Sequence, residues 1–313
     1  MKEQIKFIKN TTIFLLIFIV IFIALGNFYN SKIFIKKNVY RANRQFIESN
    51  HENLKILFLG DSHPLTDINP LYIPNTFNYA STDETYEQTY YKLKKILQEN
   101  NNIEILVFPL DLHSFTDYRE KPYSDIRYWL KFMTIKELAK VTGRFTIRLY
   151  IDNLCSFVGK GFDFKRIFFD VQKTEINKGW NKYDGLFEEK GDLEDVAFKR
   201  IELQFRLYPE IINENLLNSL LKILDLAENN NKIVVFIKYP LTKEYILAIK
   251  NKGIDIDDYY SRLESYILKY PNIYLFDYQD LFDNSFFTDE DHLNVKGSEI
   301  FSKQVSEDLQ SIK

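Results

Sequence analysis

The sequence predicts an α/β fold, namely a three-layer α/β/α domain built on a five-stranded parallel sheet. Four short runs rich in Ile, Val, Leu and Phe mostly lack the polar alternation of half-exposed strands, so we expect strands that are buried on both faces, and a fifth, shorter segment also has the pattern of a strand. Stretches with apolar residues at helical spacing separate most of these runs, which predicts right-handed crossover connections. An apolar fraction of 45% over 313 residues supplies a large core.

The predicted elements follow one another along the chain. The strands are Leu54 to Leu59, Thr76 to Tyr79, Ile103 to Phe108, Ile233 to Ile237, and Ile273 to Phe276. The helices are Tyr86 to Leu97, Thr134 to Val141, Leu193 to Leu207, Glu214 to Glu228, Asp257 to Leu268, and Lys296 to Leu309. Thr85 or Asp83 could cap the first of these helices.

Residues 112–212 break the alternation of strands and helices, and we expect them to form an insertion that caps or flanks the sheet domain. This region is rich in aromatic residues, among them Tyr118, Tyr123, Tyr128, Trp129, Trp180 and Tyr183. Aromatic rings at such density are commonly core residues, and they are also the side chains that stack on sugar rings. The sequence leaves both interpretations open.

The N-terminus predicts a membrane anchor. No charged residue occurs between Lys9 and Lys32, so residues 11–29 are long and apolar enough to cross a bilayer. The alternative is a cleaved signal peptide, because Ala24-Leu25-Gly26 places small residues where cleavage could occur.

The predicted domains follow from this anchor. Residues 1–31 form a cytoplasmic tail and transmembrane span, residues 32–53 a stalk or a short helix that leads into the domain, and residues 54–313 the α/β domain. Basic residues flank the span on both sides, so the positive-inside count does not favour export. A short tail before a first span is nevertheless typical of a signal anchor. We therefore expect a single-pass protein of the cell membrane with an extracytoplasmic domain.

Composition argues against several classes of function. A net charge of -3 disfavours electrostatically driven binding of nucleic acid. The single cysteine, Cys155, rules out an intramolecular disulfide and a cysteine metal cluster. No Gly-rich phosphate-binding motif follows a predicted strand, and the four histidines form no metal-ligand pattern, so we expect neither a cofactor nor a bound metal.

Two short motifs supply the residues of a catalytic triad. Gly60-Asp61-Ser62-His63 follows the first predicted strand, and in α/β folds ligands bind beyond the carboxyl ends of the strands. Asp289-Glu290-Asp291-His292 precedes the last predicted helix. An aspartate three residues before a histidine can hold the Nδ1–H of the imidazole while Nε2 faces a serine. The alternative is a serine in a tight turn and a solvated acidic loop.

These motifs resemble those of the SGNH/GDSL hydrolase superfamily, whose first block carries the serine after a strand and whose last block is Asp-x-x-His near the C-terminus. The resemblance implies Ser62 as nucleophile, His292 as general base and Asp289 as the carboxylate that orients the imidazole. Asp291 is a competing carboxylate, but a residue adjacent to the histidine is less well placed to orient it. We expect Asp61 and His63 to support the serine turn.

The middle blocks of the superfamily match less well. The family adds a glycine and an asparagine as oxyanion donors, whereas the segments around residues 78–83 and 109–113 lack the glycine and the asparagine. An oxyanion needs donors already aimed at it. The candidate oxyanion or substrate contacts, besides the N–H of Ser62, are therefore Ser81, Thr82, Asp111 and His113.

A tethered SGNH-like domain outside the membrane resembles proteins that acylate cell-envelope polymers. The resemblance implies O-acyl transfer through an acyl-serine to a polysaccharide or a teichoic-acid-type polymer, with a membrane-bound O-acyltransferase as acyl donor. One alternative is an extracytoplasmic carbohydrate esterase or deacetylase. Because two oxyanion donors are missing, a non-catalytic tethered scaffold or glycan-binding module is a further alternative.

Overall fold

The computed structural model describes residues 2–32, 38–49, 51–100, 102–119, 126–154, 176–206 and 212–312. Tyr123, Cys155 and Leu207, with parts of the predicted stalk and insertion, lie outside these ranges. The chain divides into two compact units, one of residues 1–41 and 122–173 and the other of residues 42–121 and 174–313. The predicted insertion at 112–212 is therefore divided between the two units.

The first unit is helical in the part that the structure describes. It contains Lys2–Lys32, Ile126–Trp129, Ile135–Thr142 and Thr146–Leu154. The segment Lys2–Tyr29 is long and apolar enough to cross a membrane, with a mean hydropathy of 2.5 in its most apolar window. The predicted span at residues 11–29 lies within it, although a signal sequence would have the same length and composition.

The second unit contains the predicted parallel sheet, which is confirmed. The strands along the chain are β1 (Ile56–Phe58), β2 (Thr76–Asn78), β3 (Ile105–Pro109), β4 (Ile176–Asn177), β5 (Trp180–Asn181), β6 (Ile233–Lys238) and β7 (Ile273–Asp277). Five of them form one sheet in the order β2-β1-β3-β6-β7, with every neighbouring pair parallel. β4 and β5 form a separate antiparallel hairpin.

Helices cover this sheet, and its central strands are buried on both faces, as the unbroken apolar runs predict. Leu57 and Phe58 of β1 and Val107 of β3 have no exposed surface. The helices of the second unit are Asn38–Glu48 from residue 42 onwards, Ser62–Asp67, Tyr86–Glu99, Leu193–Gln204, Glu214–Asn229, Lys243–Asn251, Ile256–Ile267 and Val295–Ser311.

Two helices of this unit were not expected from the sequence. Ser62–Asp67 contains Pro64, which would disrupt a helix interior but is tolerated here because first-turn N–H groups have no intrahelical acceptor. Lys243–Asn251 follows closely after β6, and the Thr242 side chain caps it by accepting a hydrogen bond from the Tyr245 N–H. For Tyr86–Glu99 the cap is Thr85, which forms a capping box with Gln88.

The strand order creates a crevice beside β1. The chain passes from β1 to β2 on one side and then returns to β3 on the other, so the direction of winding reverses between β1 and β3. Loops leaving the carboxyl ends of two such strands diverge and leave room for a ligand. Ser62 follows β1 and Asp111 follows β3, which brings both to this crevice.

Gly60 makes the exit from β1 possible. Its φ is +123°, a conformation that side-chain-bearing residues rarely adopt. A Cβ at this position would lie 2.5 Å from Cδ of Pro109, at the end of β3. The glycine therefore lets the chain turn sharply toward Ser62 while two strand ends stay in contact.

Gly60→Ala should lower the free energy of unfolding by about 2 to 5 kcal/mol, because backbone strain and overpacking each contribute roughly 1 to 3 kcal/mol. Gly253→Ala is the matched control, since Gly253 also has a positive φ of +83° but a Cβ there would meet nothing within 4 Å. We expect the control to lose only about 1 kcal/mol. Chemical denaturation of the full chain in detergent, followed by circular dichroism, measures both. Equal losses would show that contact with Pro109 does not matter.

Candidate active site

The structure brings Ser62, His292 and Asp289 into one hydrogen-bonded chain. Ser62 Oγ lies 2.8 Å from His292 Nε2. His292 Nδ1 lies 2.9 Å from Asp289 Oδ1 and 3.0 Å from Oδ2. Ser62 and Asp289 are half-buried and His292 is buried, so the hydroxyl is reachable while the imidazole is shielded. This is the arrangement in which an imidazole can accept the proton of a serine hydroxyl.

A closed loop holds the histidine in place. The N–H of Leu293 donates to Asp67 Oδ1 at 3.0 Å, which ties the loop to the helix that begins with Ser62. Phe287 and Leu293 form an antiparallel bridge, and the Thr288 N–H donates to the His292 carbonyl at 2.9 Å. The loop ends at Asn294, whose side chain caps the last helix. These contacts fix the distance between Ser62 and His292.

Asp61 supports the turn that carries Ser62, as predicted. Its Oδ1 accepts a hydrogen bond of 3.2 Å from the N–H of His63. Its Oδ2 forms a buried ion pair with Arg119 and lies 3.3 Å from His113 Nε2. Burial by itself raises the pKa of Asp61, but Arg119, together with His113 and His63, outweighs burial and the pKa lies well below its ordinary value. Asp61 is therefore a stably ionised support.

His63 forms a second histidine–aspartate pair behind the triad. The ring is fully buried, and its Nδ1 lies 2.7 Å from Asp111 Oδ2. The predicted substrate contact of Asp111 is thus replaced by an internal one. His63 Nε2 has no hydrogen-bond partner among the described residues, and Asp291 Oδ2 is 3.7 Å from it, which is too far for a hydrogen bond.

His113 belongs to the network around Asp61. Its Nε2 lies 2.6 Å from Arg119 Nη2, a donor that cannot lose its proton. Burial and the Arg119 charge both lower the pKa of His113, so the ring is neutral and Nε2 accepts. Nε2 is therefore not the oxyanion donor that a replacement for the missing asparagine would require.

Two backbone N–H groups near the serine remain available as oxyanion donors. The Ser81 N–H, one of the predicted donors, is occupied because it donates to the Gly60 carbonyl at 3.0 Å. The N–H groups of Ser62 and Thr82 make no hydrogen bond to any residue that the structure describes. Ser62 opens its helix, where an N–H has no intrahelical acceptor. Thr82 is exposed, as a substrate contact must be.

Asp291 links the triad to the helix Leu193–Gln204. Its Oδ1 lies 3.1 Å from His292 Nδ1, and Arg200 Nη2 contacts both carboxylate oxygens at 3.1 Å. Gln204 donates a further hydrogen bond of 3.1 Å to Oδ2. The contacts between Arg200 and Asp291 were not predicted from the sequence. The one related signal there was an acidic residue, Asp291, next to the histidine. Burial alone lowers the pKa of His292, but Asp289 and Asp291 together raise it well above its ordinary value.

Two aromatic residues of the predicted insertion reach the site. Trp180 donates from Nε1 to the carbonyl of Thr66, in the helix that carries Ser62, at 2.6 Å. The ring of Tyr183 lies 5.8 Å from the ring of His292 in an edge-to-face arrangement. Trp180 is buried and Tyr183 half-buried, so Trp180 supports the helix that begins with Ser62, whereas Tyr183 lines the approach to His292.

Two buried sets of ligand-type atoms lie close enough to hold a metal ion, each within 4.8 Å of one another. They are His63, Asp291 and His292, and Asp61, Asp111 and His113. Arg200 is bonded to the carboxylate of Asp291, and Arg119 to that of Asp61. The two guanidinium charges oppose a further cation at either set, so the residues do not fit a metal centre.

Comparisons with known proteins give distant structural likenesses. No protein-family model matches the chain, and no curated protein matches it. An inferred acylhydrolase from Bacteroides fragilis matches with a TM-score of 0.41 and 11% identity, over 86% of this chain and 93% of that one. A GDSL-like lipase from Bacteroides thetaiotaomicron matches with a TM-score of 0.39 and 11% identity, over 88% and 99%. An aryl esterase from M. smegmatis matches with a TM-score of 0.36 and 8% identity, over 83% and 100%.

TM-scores below 0.5 assign no activity to this chain. The contacts of Ser62, His292 and Asp289, in contrast, are features of this chain itself.

Arg119→Met should lower the free energy of unfolding at pH 7 by about 3 to 5 kcal/mol, because it leaves the buried Asp61 carboxylate without its cation. The loss should shrink toward pH 4. In the variant, burial without the Arg119 cation raises the pKa of Asp61, so the carboxyl takes up a proton as the pH falls and the unpaired charge disappears. In the unchanged protein the depressed pKa keeps Asp61 ionised at pH 4, and its contribution to stability is lost only below the unfolded pKa of about 4.

Two further variants test the cause of this loss. Asp61→Asn/Arg119→Met should recover part of it, since no buried charge remains. Lys199→Met removes an exposed ion pair with Asp195 and should change stability by less than about 0.5 kcal/mol. Denaturant titration at several pH values measures all of them, and a pH-independent loss in Arg119→Met would contradict the role of Asp61.

Proposed function

We propose that this chain is a serine-dependent acyl-ester enzyme of the SGNH/GDSL type. The observation that carries the proposal is the pair of contacts made by His292, 2.8 Å to Ser62 Oγ and 2.9 Å to Asp289 Oδ1. A serine hydroxyl is a poor nucleophile unless a base accepts its proton during attack, and here the base is present and oriented.

The proposed reaction proceeds through an acyl-serine. Ser62 Oγ attacks the carbonyl carbon of the acyl ester while its proton passes to His292 Nε2, and Asp289 stabilises the imidazolium that forms. The N–H groups of Ser62 and Thr82 are the proposed donors to the tetrahedral oxyanion. Collapse of this intermediate expels the alcohol, which takes the proton from His292. A second hydroxyl, from water or an acceptor alcohol, then releases the acyl group with His292 again as base.

Transfer to a polymer hydroxyl is the proposed outcome. The apolar segment Lys2–Tyr29 supports a tether to a membrane, where acyl donors such as a membrane-bound O-acyltransferase would be found. The half-buried ring of Tyr183 beside His292 supports an approach that can pack against a sugar. The proposed acceptor is therefore a hydroxyl of a cell-envelope polysaccharide or teichoic-acid-type polymer, with the domain on the extracytoplasmic side.

Removal of the Ser62 hydroxyl or of the His292 imidazole should abolish turnover of the acyl ester. Ser62→Ala and His292→Ala should each reduce turnover of an acyl ester by on the order of a thousandfold or more, with folding preserved. Ser298→Ala is the matched control, because this serine is buried on the last helix and its hydroxyl has no partner among the described residues. Turnover of p-nitrophenyl acetate and labelling by a fluorophosphonate probe measure the effect. Undiminished labelling of the Ser62→Ala protein would identify another nucleophile.

Envelope composition should distinguish transfer from hydrolysis. If the acyl-serine passes its acyl group to a polymer, cells carrying Ser62→Ala should lose ester-linked acyl groups from their envelope glycans. Accumulation of those groups would instead indicate an esterase that removes them. A deletion strain with a defect that the Ser62→Ala strain lacks would favour a non-catalytic tethered scaffold. Mass spectrometry of isolated glycans, compared with the Ser298→Ala strain, reports the first two outcomes.

A further inference from the structure

The general base stands in an unusually acidic environment. His292 Nδ1 faces two carboxylates, Asp289 at 2.9 Å and Asp291 at 3.1 Å. Both favour the imidazolium form, which has no lone pair at Nε2 with which to accept the Ser62 proton. A base that is permanently protonated would leave the triad inactive, so the site requires a nearby cation that offsets this bias.

Arg200 offsets part of the charge of Asp291, and His63 is a second group near His292 that can carry a positive charge. Its ring centre lies 5.1 Å from that of His292. Its two nitrogens face opposite ways, Nδ1 to Asp111 Oδ2 at 2.7 Å and Nε2 toward Asp291 Oδ2 at 3.7 Å. The carboxylate of Asp111 is buried, and His63 is the partner that the structure records for it. A buried carboxylate without a cation would be strongly disfavoured, which fixes the proton on His63.

Two other carboxylates near His63 are paired with guanidinium groups. Asp61 is paired with Arg119, and Asp291 with Arg200. The titratable or charged groups that surround His63 are Asp61, Asp67, Asp111, His113, Arg119, Tyr239, Asp291 and His292. Burial and, to a smaller extent, the charge of His292 lower the pKa of His63, but Asp111 and Asp291 outweigh both and raise the pKa to about 10. The charge of His63 is thus available to act on His292.

We propose that His63, held in its imidazolium form by Asp111, is a positioning residue that opposes protonation of His292 and so increases the fraction of His292 able to accept the Ser62 proton. The inference rests on the proposed serine chemistry, because it explains how the base stays competent. His63 does not touch the reacting atoms. It acts on them through its electric field on His292.

The pH profile of His63→Gln tests the proposal. Loss of the cation removes a repulsion from protonated His292, so the pKa of His292 rises and the neutral base appears only at higher pH. Two charges about 5 Å apart in a medium of effective dielectric constant near 20 predict an upward shift of about two pH units in the acid limb of kcat/KM. Turnover at pH 7 should fall about a hundredfold and recover as the pH increases.

Matched variants separate charge from packing. Tyr239→Phe alters another ring in contact with His63, 5.5 Å away, and removes a buried hydroxyl without changing charge, so the acid limb should stay in place. His63→Gln/Asp111→Asn removes both charges and keeps a neutral hydrogen-bonding pair. It should shift the acid limb of kcat/KM upward by a smaller amount than His63→Gln alone, because loss of the Asp111 anion partly offsets loss of the His63 cation. The offset is only partial, since Asp111 bonds to the ring nitrogen of His63 that faces away from Asp291. If His63→Gln alone does not fold, the pH profile of this double variant tests the inference.

A titration that needs no turnover keeps this inference separate from the proposed function. The full-length Ser62→Ala chain has four histidines, so its imidazole signals can be assigned by nuclear magnetic resonance in detergent micelles. We expect His63 to stay charged between pH 6 and pH 8.5, and the midpoint of His292 to rise by about two pH units when His63→Gln is added. A neutral His63, or an unmoved His292 midpoint, overturns the inference. Failure of wild type to turn over esters or label at Ser62 would instead overturn the proposed function.

Discussion

A carboxylate buried beneath the carboxyl edge of the sheet must be matched by a cation, because desolvation would otherwise drive it to the neutral form. Asp61, Asp111 and Asp291 are all buried there. Each is paired with a basic side chain from another part of the chain: Arg119, His63 and Arg200 respectively. These pairings determine where the loops after β1 and β3 and the helix Leu193–Gln204 must lie. The position of the triad is a consequence of them.

The sheet and the triad were accessible from the sequence because their signals are local. A strand buried on both faces leaves an unbroken apolar run, and the spacing of Asp289 and His292 is a property of one turn. The role of Asp61 as a support for the serine turn also follows from its position next to Ser62. The helix Ser62–Asp67 was hidden by Pro64, because the same residue breaks a helix interior and suits a first turn.

The charge pairs were not accessible, because each joins residues far apart in the chain. Nothing in the segment around Arg200 marks it as the partner of Asp291, and nothing near Asp111 indicates that its carboxylate would face His63. The superfamily pattern led to Asp111 and His113 as substrate contacts, since they stand where an asparagine is expected. In the structure both side chains are buried, and buried polar groups form hydrogen bonds inside the protein, so these two contact other protein side chains and not a ligand.

The hydrogen bond from Leu293 to Asp67 has a consequence for biosynthesis. It joins the helix that carries the nucleophile to a loop near the other end of the chain, and the contact between Ser62 and its base spans 230 residues. Contacts of such long range form late, because the chain between them must first be ordered. Ser62 therefore has no base until the segment that holds His292 has been synthesised. The contact between the two side chains forms only when that loop docks against the helix Ser62–Asp67.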